Sequence, residues 1–382
     1  MVKLSVNDRR YLDRITKEQI GKLLFIAAFL MLLIVDYVSA TGVRILFSGR
    51  VFQLAILLIG VKILLTHYSR IEWVLLGLGG VLSVISFLHT RNYFVCMLIM
   101  LLMASKDVSA RFLMWLYTVI VLVITTLTAV LAVAGVRGDV FLVQDFRGNG
   151  LETRYCMGFT HPNTFHIVCI QLMLSFIWLY WKKLKWYYFV ILFGINLLIT
   201  YFTDSRTNLL IGSAVLIAYL LLKVWPRISR WIGIYLAGFG VLVLSLLLSV
   251  VASVYGDATP FLIKLDELWT HRIRLSYWMR FQSKVTMFSG EEFQVNCDMG
   301  FVNTVYNYGI VIVLLVIGII IWKLFEITKR RDYVVLVGVV ACLIFYLGER
   351  FSSGEFITRN LMFVYMLGWG TYESDKPEKQ ST

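Results

Sequence analysis

The sequence predicts an all-α polytopic membrane protein, and three observations support this fold class. Hydrophobic residues make up 59% of the 382 positions, whereas charged residues make up only 15%. The apolar residues fall into separate runs, many of them long enough to cross a bilayer as a helix. Basic residues gather in the polar segments between these runs. We therefore expect one integral membrane domain over residues 1–382.

Twelve apolar runs are candidate transmembrane helices, because each approaches the roughly 20 residues that span a bilayer. The fourth and the last are short. The runs cover residues 20–37, 51–66, 71–88, 92–104, 112–134, 163–181, 186–202, 207–223, 231–254, 301–322, 333–348 and 356–371. The polar segment before the first run has no small-residue cleavage site after it, which is typical of a retained cytoplasmic leader and not of a signal peptide.

The positive-inside rule gives the expected orientation. With the N-terminus in the cytoplasm, 21 lysines and arginines lie inside and 14 outside, while Lys62 falls within a span. This bias predicts that both termini are cytoplasmic. Cytoplasmic loops and anionic lipid headgroups then account for the net charge of +13, so we expect membrane lipids and no nucleic acid as partners.

The predicted outer face is rich in arginine: 12 of its 14 basic residues are arginines, whereas 12 of the 21 inner ones are lysines. Topology requires only positive charge inside, but the planar guanidinium suits bidentate binding of phosphate or carboxylate. We therefore expect the outer face to bind an anion, although arginines such as Arg44 or Arg91 can equally be interfacial anchors. The outer arginines are Arg44, Arg50, Arg91, Arg137, Arg147, Arg154, Arg206, Arg272, Arg274, Arg280, Arg350 and Arg359.

A large, partly helical outer loop is predicted over residues 255–300. It contains HRIRLSYWMRF, in which basic side chains alternate with aromatic ones. From Phe261 onward the loop has the period of an amphipathic helix, which can simply lie on the membrane surface. Arg272, however, falls within the apolar stripe and needs an anion or an acceptor there. The basic candidates for anion binding in this stretch are His271, Arg272, Arg274 and Arg280.

A second candidate region, MGFTHPNTFH at residues 157–166, precedes the sixth span. Thr160 or Asn163 can cap the helix, whose free amides favour an anion. His161 can act there as a hydrogen-bond donor or proton carrier near neutral pH. The alternative is a polar helix cap with an interfacial histidine.

Polar groups also mark the starts of two later spans. Arg206, in TDSRTN, lies at the outer boundary of the eighth span and requires either an anionic ligand or Asp204 as a structural partner. Asp298 lies at the outer start of the tenth span, followed at helical spacing by Asn303 and Asn307. It can act as a general base on a hydroxyl, or it can simply cap the helix.

Motifs for cofactor chemistry are absent from the sequence: it has no Walker-type loop, no HExxH, no GxSxG and no acid pair of the DxD kind. The five cysteines lack metal-type spacing, and only Cys156 and Cys297 could form an outer disulfide. We expect no cofactor and no metal, because arginines can neutralise an anion in place of a metal, although a metal bridge remains an alternative. Near the last span, GERFSSGEFITRN at residues 348–360 can pair with outer arginines or face sugar.

Taken in order, these motifs resemble the O-antigen ligase and polymerase superfamily, specifically the Wzy-type polymerases of capsular or exopolysaccharide. The resemblance rests on the many spans, the late outer loop, GFTHPN, TDSRTN, an Arg-x-x-x-Trp match at Arg274 to Trp278, and Asp298 before a span with Gly309. It implies a GT-C-like membrane glycosyltransferase. The ligase branch is similar but has a His-Asn pair where this chain has Asp298 and Met299, which favours a polymerase.

The resemblance further implies a multi-pass enzyme of the bacterial plasma membrane whose active site faces outside. It would move a glycan chain from an undecaprenyl-diphosphate donor to a hydroxyl of a lipid-linked repeat unit. Arg206 and Arg274 would hold the diphosphate, and Asp298, or second His161, would be the base. Further substrate-binding candidates are Asn163, His271, Arg272 and Arg280. Chain-length regulators and flippases are candidate partners; a ligase or a lipid-linked oligosaccharide flippase is the alternative function.

Overall fold

Helices make up most of the structure, a computed structural model that describes residues 6–145, 150–256, 258–269, 271–288, 297–348 and 361–369. The α-helices are α1 (Val6–Ser39), α2 (Ser48–Leu65), α3 (Arg70–Thr90), α4 (Phe94–Ala104), α5 (Ala110–Val133), α6 (Pro162–Tyr180), α7 (Trp186–Thr203), α8 (Arg206–Val224), α9 (Ile232–Tyr255), α10 (Pro260–Leu268), α11 (Arg272–Gln282), α12 (Gly300–Tyr308), α13 (Ile310–Arg330), α14 (Tyr333–Gly348) and α15 (Leu361–Met366). A short 3-10 helix, Pro226–Arg230, follows α8, and an antiparallel hairpin of β1 (Phe141–Gln144) and β2 (Glu152–Tyr155) separates α5 from α6.

Nine of the described helices are long and apolar enough to cross a membrane, which confirms the prediction of a polytopic, predominantly helical membrane protein. The shortest of them has 18 residues and is therefore about 27 Å long. Two shorter apolar helices, α4 and α14, accompany them. The predicted total of twelve spans and the GT-C-like arrangement stay predictions.

The prediction of one helix over residues 301–322 is wrong, because the helix is interrupted at Gly309, between α12 and α13. Gly309 has φ +86°, and a Cβ there would come within 2.5 Å of the Met287 carbonyl oxygen. The outer loop lies against this break, where the Ile310 amide donates to the Thr286 carbonyl at 3.0 Å. Of the twelfth predicted span, 356–371, the described part contains only the six-residue helix α15.

The described part of the loop predicted over residues 255–300 contains two helices, where one amphipathic helix was expected. His271, in the left-handed region at φ 64°, separates α10 from α11. Asp266 stabilises the turn: its carbonyl accepts from the His271 amide at 2.8 Å and its Oδ1 from the Arg274 amide at 3.0 Å. Pro260 opens α10 and Pro162 opens α6, each in the first turn, where proline suits a helix. The turn at His271 sets which face of α11 packs against the bundle.

Buried tyrosines join the helices around α6. The hydroxyls of Tyr37 in α1 and Tyr117 in α5 lie 2.6 Å apart, and both contact Gln171 Oε1 in α6, at 3.0 and 2.7 Å. The amide of Thr160 donates to the Ala40 carbonyl at 3.1 Å, which fixes the segment before α6 against the end of α1. The start of α6 therefore has a defined position in the bundle.

Candidate functional site

The first element of the candidate site is a buried arginine at the loop end of the bundle, the end that carries the β-hairpin, α10 and α11. Arg272 begins α11 and is only 3% exposed. Its Nε lies 3.6 Å from Asp298 Oδ2, and its Nη1 donates to Thr207 Oγ1 at 3.4 Å. The starts of α8 and α11 and the segment before α12 therefore meet at one guanidinium.

Asp298 is the more accessible member of this ion pair. Its side chain is 49% exposed, in contrast to 4% for the side chain of Arg272. The interpretation of Asp298 as a helix cap is wrong, because Met299 occupies the N-cap position of α12 and no side-chain hydrogen bond caps that helix. The Asp298 carboxylate is therefore accessible to solvent, whereas the guanidinium that pairs with it is buried.

His161 caps α6, although Thr160 or Asn163 was expected to do so. Its backbone is extended, at φ −152° and ψ 141°, and its Nδ1 accepts a hydrogen bond from the Asn163 amide at 3.1 Å. Thr160 precedes this N-cap residue, and its hydroxyl donates to the Ala40 carbonyl at 3.1 Å. The cap fixes the imidazole ring at the loop end of α6.

The pKa of His161 responds to burial and to the charges of Arg154, Arg272 and Asp298. Burial lowers the pKa of His161 below its usual value of 6.5. Arg154 and Arg272 lower this pKa further, whereas Asp298 raises it. We call Arg154, His161, Arg272 and Asp298 the Asp298 cluster. The net effect favours a neutral imidazole, and because Nδ1 accepts from the Asn163 amide, the ring proton is on Nε2.

Arg154 is the member of the cluster that the sequence analysis did not select. It lies in β2, is 5% exposed, and forms an ion pair with Glu152. Its Nη2 also lies 3.7 Å from Asp204 Oδ2, at the end of α7. Asp204 was expected to pair with Arg206, so that structural alternative is wrong. Glu152 and Arg154 alternate in a short strand seven residues before His161, and this pattern could have indicated Arg154 from the sequence.

Arg206 and Arg274 do not join the cluster through described contacts. Both side chains are exposed, and within the described ranges neither guanidinium forms a hydrogen bond or an ion pair. Arg206 begins α8 and immediately precedes Thr207, so it lies at the edge of the cluster along the chain. Arg274 lies on the opposite side of α11 from Arg272, since two residues turn a helix by about 200°.

The two remaining basic candidates have structural contacts of their own. His271 Nδ1 lies 3.2 Å from Asp266 Oδ2 within the turn between α10 and α11. Arg280 Nη1 donates to the Val254 carbonyl at 3.1 Å, and its guanidinium lies 4.4 Å from the centre of the Tyr277 ring. These contacts attach α11 to α10 and α9. Binding of substrate by His271 and Arg280 stays a prediction.

A buried polar network lies next to the cluster, between α6, α7 and α8. His166 contacts Thr203 Oγ1 through Nδ1 at 3.1 Å and Asn196 Oδ1 through Nε2 at 3.0 Å. Asn208 Nδ2 donates to the carbonyl of Asn163, a predicted substrate-binding residue, at 3.3 Å. No described contact links the side chain of Asn163 to this network. These bonds fix the three helix ends that surround His161.

The cysteines are free thiols, so the outer disulfide considered from the sequence does not form. Cys297 Sγ lies 3.0 Å from Ser276 Oγ, and Cys156 Sγ donates to the Asp139 carbonyl at 3.2 Å. Burial raises the pKa of both thiols. Cys297 therefore packs α11 against the segment that carries Asp298 and is a poor nucleophile.

Glu349, Glu355 and Arg359, which were expected to pair with outer arginines or contact sugar, lie outside the described residues. Within the described part of the chain, no three His, Cys, Asp or Glu side chains group together as metal ligands would. The expected independence from metal stays a prediction. The cluster combines two guanidinium groups, a carboxylate and an imidazole, which suits binding of an anion beside a proton acceptor. Comparison with protein-family models, with curated proteins and with solved structures finds no match to this chain.

Proposed function

We propose that this protein is a polymerase of bacterial surface polysaccharide that works at the outer face of the plasma membrane. One observation carries the proposal: the buried guanidinium of Arg272 is paired with the half-exposed carboxylate of Asp298. Glycan transfer from a lipid diphosphate requires a cation for the leaving group and an acceptor for the hydroxyl proton. The Asp298 cluster contains both.

The proposed reaction joins two lipid-linked glycans. A hydroxyl of an undecaprenyl-diphosphate-linked repeat unit attacks the anomeric carbon of the growing chain. The bond between that carbon and the diphosphate oxygen breaks, and the lipid diphosphate leaves with the electron pair. Asp298 takes the hydroxyl proton. Because one displacement forms the new glycosidic bond, the configuration at the anomeric carbon inverts.

The cations of the loop end differ in how they can serve the diphosphate. Arg206 has an exposed guanidinium at the positive end of α8 and would bind the diphosphate directly. Arg272 and Arg154 are buried and fixed, so they would supply a preorganised positive field. Arginines alone would then neutralise the leaving group.

Asp298 is the stronger candidate for the base, and His161 is the weaker one. The Nδ1 lone pair of His161 already accepts the capping hydrogen bond, and the Nε2 proton makes the other ring nitrogen a donor. His161 would instead donate to a sugar or diphosphate oxygen. The Asp298 carboxylate, by contrast, is half exposed to an approaching hydroxyl.

A flippase is the weaker alternative, because substrate pathways of transporters place charged groups in the middle of spans. Lys62 is the basic residue that the sequence places within a span. Its Nζ donates to Thr66 Oγ1 at 2.6 Å, just beyond the last residue of α2. The charge therefore lies at a helix end.

The test is chain extension by the purified protein in liposomes that contain a short undecaprenyl-diphosphate-linked oligosaccharide. Asp298→Asn keeps the shape of the side chain and removes the base, so we expect extension to fall about 10²–10⁴-fold. Arg206→Gln and Arg272→Lys should each reduce it, since both alter the cations near the leaving group. The product to measure is the length of the lipid-linked glycan.

Two variants serve as matched controls. Glu267→Gln removes an exposed acid of the same outer loop, and Arg137→Gln removes an exposed arginine that is not a member of the cluster. Both should extend chains like the wild type. Full extension by Asp298→Asn would rule out the proposed base. Attachment of finished polymer to a non-lipid acceptor would instead identify a ligase, and movement of the oligosaccharide across the bilayer without extension would identify a flippase.

A further inference from the structure

We infer that α11 lies in the plane of the membrane surface and that one of its faces binds anionic phospholipid headgroups. This α11 outer face consists of Arg274, Leu275, Trp278 and Phe281. Leu275, Trp278 and Phe281 are 47%, 56% and 62% exposed, and Arg274 is exposed as well. At about 100° per residue, all four fall on one side of the helix. The opposite side, with Arg272, Ser276 and Met279, is buried in the protein.

Contacts with α9 set the depth of α11. By length and composition α9 crosses the membrane, and it ends at Tyr255. Arg280 donates to the carbonyl of Val254, in the last turn of α9, at 3.1 Å. Gly256 follows, and it approaches the Tyr277 ring so closely that a Cβ there would lie 2.6 Å from a ring carbon. The end of a spanning helix marks the surface of the bilayer, so α11 lies at that level.

The exposed surface of α9 leads to the α11 outer face. An apolar stripe at helical spacing runs along α9, and on a spanning helix such a stripe contacts lipid chains. Its members are Leu236, Val243, Leu247, Val250 and Val254, which are 59%, 53%, 56%, 60% and 47% exposed. Arg280 is bonded to the carbonyl of Val254 at the end of this stripe, so α11 lies directly beside it.

The chemistry of the α11 outer face matches a headgroup layer. Trp278 and Phe281 have the amphipathic or aromatic character that is enriched where acyl chains meet headgroups. Arg274 lies one turn from Trp278 and can bind a phosphate with two parallel hydrogen bonds. Exposed Lys264 and Lys284 add positive charge nearby. An anionic phospholipid satisfies both the charge and the apolar surface, and the inference does not depend on the polymerase activity.

The depth of Trp278 can be measured by fluorescence quenching on the full chain in nanodiscs of phosphatidylcholine and phosphatidylglycerol. The protein has 11 tryptophans, so the emission of Trp278 is obtained as the difference between the wild type and Trp278→Phe. Trp322→Phe isolates a comparison tryptophan that is 42% exposed within the spanning helix α13. We expect lipids brominated near the headgroup to quench Trp278 at least about twofold more than lipids brominated near the chain end, because interfacial helices penetrate only about 5–10 Å. Trp322 should show the reverse order.

The charge dependence is tested in the same nanodiscs. Replacing phosphatidylglycerol by phosphatidylcholine should weaken the shallow quenching of Trp278, and Arg274→Gln should weaken it similarly when phosphatidylglycerol is present. Quenching of Trp278 by aqueous iodide and not by brominated lipid would overturn the membrane placement. Shallow quenching that is indifferent both to phosphatidylglycerol and to Arg274→Gln would overturn the assignment to anionic headgroups.

Discussion

At the scale of single residues, Arg272 and Arg274 show how two positions on one helix turn separate two roles. Arg272 is 3% exposed and contacts Asp298 and Thr207, whereas the side chain of Arg274 is exposed. A buried guanidinium is stable only when acceptors surround it. Arg272 therefore fixes the geometry of the cluster, while Arg274 is available to ligands outside the protein.

The first residue-scale prediction concerns pH and His161. Because the pKa of His161 is lowered in the folded protein, the unfolded chain binds the proton more readily below its usual value of 6.5. Stability should therefore be fully present above that value and decrease as the pH falls through it toward the lowered folded pKa. Unfolding midpoints measured from about pH 8 to about pH 5 should show this loss.

His161→Ser is the matched variant for this measurement. Serine keeps an oxygen that can cap α6 but does not titrate in this range. The fall of the unfolding midpoint on acidification should be shallower in His161→Ser than in the wild type. Equal slopes in the two proteins would show that His161 does not contribute to the acid sensitivity.

At the scale of elements, the break at Gly309 separates a short buried helix from a spanning one. α12 carries buried residues around most of its surface, whereas α13 is long and apolar enough to cross the membrane. At the break, the carbonyls of Thr286 and Met287 accept hydrogen bonds from the amides of Ile310 and Val311, in the first turn of α13. It places Asp298, two residues before α12, at the loop end.

We expect Gly309→Ala to destabilise the protein by at least about 2 kcal/mol, because alanine is strained at positive φ and its Cβ would collide with backbone. The φ angle is +86°, and the Met287 carbonyl oxygen would lie 2.5 Å from the Cβ. Unfolding midpoints in detergent measure the effect. Chain extension should fall as well, since the segment that carries Asp298 would shift.

Gly318→Ala is the control within α13. No atom lies within 4 Å of a Cβ at that position, so alanine should stabilise the helix by about 0.5–1 kcal/mol. If both variants lowered stability equally, the cause would be a general intolerance of α13 to alanine and not the geometry of the break.

At the scale of the whole molecule, the candidate site is made where helix ends meet. α6, α8 and α11 contribute their starts, α7 contributes Asp204 at its end, and the β-hairpin contributes Arg154. The network around His166 connects α6 to α7, and Asn196 extends it to Ser213 in α8. The position of the cluster therefore depends on packing that lies away from its own residues.

Asn196→Leu tests this dependence. The change removes the partner of His166 Nε2 and leaves a buried polar atom without a hydrogen bond, which costs about 1–3 kcal/mol. We expect a lower unfolding midpoint together with reduced chain extension, although every member of the cluster is intact. Leu198 lies in the same helix and is 57% exposed, so Leu198→Ala should leave the unfolding midpoint and chain extension nearly unchanged.

Much of the fold could be predicted from the sequence, because apolar runs of spanning length have few other stable outcomes in a bilayer. The boundaries of α7, predicted at 186–202 and found at Trp186–Thr203, illustrate this. The tenth span was misjudged, since hydropathy does not register the positive φ of Gly309 or the strand-like contact made there. Arg272 and Asp298 were singled out separately from the sequence, and the structure pairs them. The role of these residues and of His161 as a site stays a prediction.

The sequence by itself determined the membrane-spanning helices, the enrichment of arginine at one predicted face and the need of Arg272 for an acceptor, because hydrophobic length and charge act locally along the chain. Only the tertiary structure decided which acceptor Arg272 has, that Asp204 pairs with Arg154, and that Arg206 and Arg274 stay exposed. These outcomes depend on contacts between residues up to 65 positions apart, and such contacts are fixed by packing and helix rotation, not by local pattern.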